Sequence, residues 1–103
     1  MHSKGAGVPR DDAKAVYWSH KAAEQGIPEA QNNLGMMYDN GEGVLEDYVQ
    51  AYAWWSIAAT RGNADAKTNK GILNKKMTRG QIAKGQELAS EYWEKYVVPF
   101  QKD

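Results

Sequence analysis

The sequence predicts an all-α fold, a solenoid of about five helices stacked as antiparallel helix-turn-helix repeats. Three observations carry this. The chain repeats itself at a spacing of 36 residues. Apolar residues within each repeat recur at helical intervals. No segment alternates convincingly as a strand.

The repeat is read by sliding the chain along itself. A shift of 36 residues brings Gly5, Gly7 and Val8 onto Gly41, Gly43 and Val44, Asp11 onto Asp47, Ala15 onto Ala51, and Trp18 onto Trp54. It also brings Ala22-Ala23 onto Ala58-Ala59, Gly26 onto Gly62, Ala30 onto Ala66, Asn33 onto Asn69, and Gly35 onto Gly71. That is twelve identities over the 31 positions from Gly5 to Gly35, where average residue usage gives about two by chance.

Each helix follows from local chemistry. Helices over 11–25 and 47–61 open on Asp11 and Asp47, whose carboxylates suit free helix N–H groups and the dipole. Ala51, Trp54, Trp55 and Ala58 form one stripe at i, i+3, i+4 and i+7. Ala15, Trp18 and Ala22 repeat it, and Gly26 and Gly62 end these helices. Trp54 is expected in the core, with Trp55 part-exposed. Ala22, Ala23, Ala58 and Ala59 allow a neighbouring helix to approach closely. A helix over 29–40 carries Ala30, Leu34 and Tyr38 on one stripe, with Pro28 in the first turn, where its missing N–H does no harm. Its internal Gly35 costs about 1 kcal/mol relative to Ala, so close helix contact is expected there and at the recurring Gly71. The equivalent helix of the next unit spans 64–76. Thr78 and Gln81 form a capping box for a last helix over 79–97. Ile82, Ala89, Trp93 and Tyr96 supply its stripe, with Leu88 and Tyr92 beside it, and Pro99 ends it.

Composition narrows the function classes. Thirteen bases balance thirteen acids, which argues against a general nucleic-acid binder. There is no Cys, so disulfide frameworks and thiolate metal sites are excluded. No run of 18 apolar residues is present, so no membrane insertion is expected. The N-terminus has no apolar signal core. The chain as it stands reads as soluble and cytoplasmic, or as periplasmic or secreted if an upstream signal peptide was removed; the compartment stays open. Charge is unevenly placed: acids dominate from Glu29 to Asp47, and bases from Arg61 to Lys84.

These residues resemble the Sel-one-like repeat family, a branch of the tetratricopeptide-type helical repeats. The resemblance rests on Ala30-Gln31, Leu34-Gly35, Tyr38, Gly41, Gly43-Val44, Asp47, Ala51, Trp54, Ala58-Ala59 and Gly62. It implies a right-handed α-α superhelix, a tetratricopeptide-like solenoid. Residues 1–103 then form one domain: a half repeat at 5–26, a full repeat at 27–62, a degenerate repeat at 63–77 and a capping helix at 78–97. Lys70 and Asn74 depart from the pattern, where the family has Leu and Tyr. The resemblance also implies a bacterial adaptor or scaffold that binds a protein or peptide, not an enzyme. A leading half repeat leaves a helix face without a preceding partner. Two explanations stay open, a fragment of a longer array or a helix that packs on another molecule, including a homo-oligomer through the N-terminal half repeat.

Candidate contact residues come from the same resemblance, in which the first helix of each pair lines the groove. That turns Glu29, Asn32, Met36, Asp39 and Asn40 toward the groove, followed by Asp65, Thr68, Ile72, Lys75 and Lys76. Asn side chains there suit a peptide backbone, and Met36 adapts to varied apolar groups. The bland alternative is an ordinary solvated face, and the basic run from Arg61 to Lys84 reads mainly as that. No cofactor or metal is expected. His2 and His20 are the only histidines, without the paired spacing of a metal site, and His20 reads as a part-exposed surface residue. A cell-wall or β-lactam hydrolase is disfavoured. The chain has no Ser-x-x-Lys motif and no nucleophile with a paired base.

Overall fold

A computed structural model describes the backbone of residues 8–100 and the side chains of residues 14–100. Five α-helices run in order: α1 Val8–Glu24, α2 Pro28–Asn40, α3 Tyr48–Thr60, α4 Ala64–Asn74 and α5 Arg79–Tyr96, with a short 3-10 turn at Val98–Phe100. No strand occurs among the described residues.

The start of α1 differs from the sequence reading. The helix begins at Val8, so Asp11 lies inside it rather than before it. Pro9 accounts for this, since a first-turn proline has the right φ and its missing N–H has no helical partner to lose. The Asp11 side chain, like His2, lies outside what is described. The other helix starts follow the expected chemistry. The Asp47 carboxylate accepts from the Gln50 backbone N–H, and Thr78 with Gln81 completes a capping box. The sequence reading missed a third cap, Asn63, whose side chain accepts from the Ala66 N–H at 2.8 Å. Gly26 and Gly62 have φ of +85° and +97°, the left-handed geometry that ends α1 and α3.

Helix α3 is the hub. Every residue from Ala51 to Ala58 is buried, as expected of a helix that is apolar all round. It packs against α2, α4 and α5, while α1 packs chiefly on α2 and touches α5. Two buried clusters result. One joins Tyr52, Trp55, Ala66, Leu73 and Met77. The other joins Ala23, Leu34, Trp54, Ile57 and Val97. Helix α5 does not continue the helix-pair stack but lies along α3. Its Tyr92 and Tyr96 rings sit 4.4 and 5.4 Å from the Trp54 ring. At Gly85 an added Cβ would come within 2.6 Å of the Tyr52 ring, so this glycine lets α5 approach α3 at that level.

Two expectations need correction. Trp55 is not part-exposed but 3% exposed. The reason is Gly35: a Cβ there would lie 2.5 Å from the Trp55 ring. With only hydrogen at that position, the indole lies against the α2 backbone, and its Nε1 donates to the Asn32 carbonyl at 3.0 Å. Gly71 makes no such contact, since an added Cβ would meet nothing within 4 Å. The contact expected at both glycines therefore exists at one.

Candidate functional site

The candidate surface is the face shared by α2 and α4, which Trp55 of α3 backs. The two helices meet through side-chain amides: Asn69 Nδ2 donates to Asn32 Oδ1 at 3.3 Å. Asn32 is only 7% exposed, with its own amide directed to the Met36 sulfur at 3.9 Å. Asn32 therefore joins α2 to α4 rather than standing open to solvent. Beside this junction lies a notch of about 150 Å³ lined by Asp39, Trp55, Asn69, Ile72, Leu73 and Lys76.

The chemistry of the notch is mixed. Trp55 and Leu73 form an apolar floor, and Ile72 is 56% exposed at its edge. Asp39 Oδ1 is shut off from solvent and has no hydrogen-bond partner among the described residues. A buried acceptor left unmade costs about 1–3 kcal/mol; because this atom is covered, a partner's donor reaches it only when the lining of the notch shifts. Lys76 places its ammonium 5.4 Å from the centre of the Tyr48 ring. The notch thus offers a carboxylate, an amide and a cation around an apolar floor.

Of the residues singled out from sequence, Asp39, Ile72 and Lys76 are brought together in this notch, and Asn32 sits under it. Met36 is 41% exposed. Glu29, Asn40, Asp65, Thr68 and Lys75 are exposed and do not line the notch. Sequence reasoning missed Asn69 and Leu73 as lining residues; it offered the Trp55 ring as a partner contact on a part-exposed side chain, whereas Trp55 lies buried at the floor. Asn69 carried a signal, its match to Asn33 in the repeat, but that match points elsewhere. Asn33 is exposed, whereas Asn69 bonds across to Asn32.

Other side chains gain roles that the sequence did not show. His20 is part-exposed, as expected, and its Nε2 lies 3.1 Å from the Tyr38 hydroxyl, with its ring edge-on to Trp54 at 5.9 Å. Burial, and then the nearby Asp47 carboxylate, raise the Tyr38 pKa. Tyr92 donates to Gln50 Oε1 at 2.6 Å; burial is the main cause that pushes its pKa up to about 12. Within the basic run, Arg61 donates to the Gly26 carbonyl at 3.2 Å, and Lys70 lies 5.2 Å from the Tyr52 ring centre. These bases are therefore partly tied to the fold. Among the described residues, no group of three or more His, Cys, Asp or Glu is placed to hold a metal ion. No helix described is long and apolar enough to cross a membrane.

Comparison with known proteins agrees with this architecture. The Sel1 repeat model matches residues 1–27 and 28–63. Among solved structures, the chain is similar to a protective antigen present in uropathogenic Escherichia coli strains, whose crystal structure displays an SLR fold. The TM-score is 0.84 and the identity 41%, over 88% of this chain. This chain spans 20% of that antigen's chain. None of the curated proteins matches the sequence.

Proposed function

The chain belongs to the Sel1 repeat family, and from that premise we propose that it is an interaction scaffold that binds a protein or peptide partner on the α2–α4 face. Helical repeats of this kind are generally non-enzymatic scaffolds for protein interactions. The observation that carries the finer reading is the notch at Asp39, where a buried carboxylate oxygen, without a partner among the described residues, shares a lining with the exposed Ile72 and Lys76. An extended segment supplies what the notch lacks. A backbone N–H or a basic group would donate to Asp39, and an apolar side chain would cover Ile72 and the floor.

The test is a paired substitution, Asp39→Asn with Ile72→Glu. It leaves the Asn32–Asn69 junction and the Trp55–Gly35 contact in place. Proteins captured by the unchanged chain should be lost, or bind at least about tenfold more weakly, a change of about 1.4 kcal/mol. Unchanged capture by a double variant with native helicity would refute the assignment to this face.

A second reading, self-association through the N-terminal half repeat, has one observation in its favour. On α1, Tyr17 and Trp18 are 53% and 65% exposed, whereas Trp54, the repeat equivalent of Trp18, is covered. Sedimentation over a wide concentration range decides it: a monomer at every concentration removes this reading.

A further inference from the structure

A second cleft, of about 260 Å³, opens between α3 and α5 on another side of α3. It is lined by Ser56, Ile57 and Thr60 from α3 and by Ala89, Ser90, Trp93 and Glu94 from α5. We infer that it receives an arginine side chain presented by a partner protein or peptide.

Three features lead there. The first is a slot with apolar lining: Ile57 is 2% exposed in the core, and Ala89 and the part-buried indole of Trp93 pack against the same cluster. Such a slot takes a chain of methylenes, and an indole face attracts a planar guanidinium. The second is an unmet polar group at the base. Ser56 is 8% exposed, and its Oγ is shut off from solvent without a hydrogen-bond partner among the described residues. A helical serine commonly relieves this by bonding the carbonyl four residues back; Ser56 does not. The Thr60 hydroxyl is already committed, donating to the Ser56 carbonyl at 2.9 Å. The third feature is charge. Glu94 stands exposed at the cleft with no ion pair among the described residues.

An occupant must therefore have an apolar stem, a cationic head and several donors. Lysine meets the first two requirements. Arginine meets all three, with a flat face for Trp93 and a fork for the Glu94 carboxylate. A neutral side chain loses Glu94. The inference rests on reading the chain as an interaction module, but it uses no residue of the α2–α4 face.

The test is a titration of the isotope-labelled chain, followed by amide and indole NMR shifts. The probes are three capped tripeptides, Gly-Arg-Gly, its lysine counterpart, and its citrulline counterpart, which keeps the shape of arginine without the charge. The arginine peptide should shift Ser56, Thr60, Ser90 and the Trp93 indole, and bind about tenfold more tightly than the citrulline peptide. Lysine should fall between them. Glu94→Gln should weaken arginine to the citrulline level, while Asp39→Asn should leave it unchanged. The site is overturned by an absence of shifts at these four residues, by equal binding of the citrulline or lysine peptide, or by indifference to Glu94→Gln. Loss of arginine binding in Asp39→Asn would also overturn it, by placing the contact on the other face. Failure here with capture still sensitive to Asp39→Asn and Ile72→Glu would leave the α2–α4 reading standing.

Discussion

Trp18 of α1 and Trp54 of α3 occupy the same place in the repeat, 36 residues apart, yet one is 65% exposed and the other 1%. The helices are alike in sequence; their neighbours differ. Helix α3 has α2 and α4 beside it and α5 along another side, whose tyrosines cover Trp54. Helix α1 packs mainly on α2, and among the described residues its Trp18 meets only Tyr17 as an aromatic neighbour, edge-on at 4.9 Å. A repeat therefore specifies which residues are able to pack. The elements around it decide which of them do.

The comparison can be broken most directly at the two tryptophans. Trp54→Ala should cost about 3–5 kcal/mol, a large part of the ~5–15 kcal/mol that holds a domain together. Trp18→Ala should stay within about 0.5 kcal/mol of the parent. Urea denaturation measures both, and equal losses would contradict the contrast.

A second repeated pair, Gly35 and Gly71, gives a smaller effect of opposite sign. Gly35→Ala should destabilise by about 1–3 kcal/mol, because the added carbon overlaps the Trp55 ring. Gly71→Ala meets open space within α4 and should stabilise by up to about 1 kcal/mol through helix propensity alone. Thermal melts that shift the two variants in the same direction would show that the repeat, not the neighbours, sets the outcome.

The cover over Trp54 can also be probed by pH. In the unfolded chain Tyr92 ionises near the ordinary tyrosine value of 10.0, and in the fold burial pushes this up to about 12. Below pH 10 both states keep the proton, so this group adds no pH dependence. Between 10 and 12 the unfolded state loses it first, and stability falls as pH rises. Tyr38, also raised, contributes in the same sense. Tyr92→Phe should make the alkaline fall shallower, at a cost of about 1 kcal/mol near neutrality for the lost bond to Gln50. A variant profile parallel to that of the parent would mean that Tyr92 is not held in this cover.

How much of this was legible in the sequence differs between elements. The second to fifth helices begin within about two residues of where periodicity and capping chemistry place them, because those signals are local. The glycine that admits Trp55 was read as a site of close contact, but its partner was not, since that contact joins residues 20 apart on different helices. The same limit hid the notch. Asp39, Ile72 and Lys76 were named through resemblance, yet Asn69 and Leu73 reach the site only through the crossing of α2 and α4. The α3–α5 cleft was not legible at all, because the repeat pattern stops before α5 and nothing local tells which side of α3 that helix covers.

Among the described residues, α1 is open at Trp18 where α3 is closed at the equivalent Trp54. Acrylamide quenching of tryptophan fluorescence tests it most directly. Replacing Trp18 by Phe should remove the most readily quenched part of the emission. Replacing Trp54 by Phe should leave that part in place. Quenching that is unchanged by Trp18→Phe, or reduced by Trp54→Phe, would contradict the account.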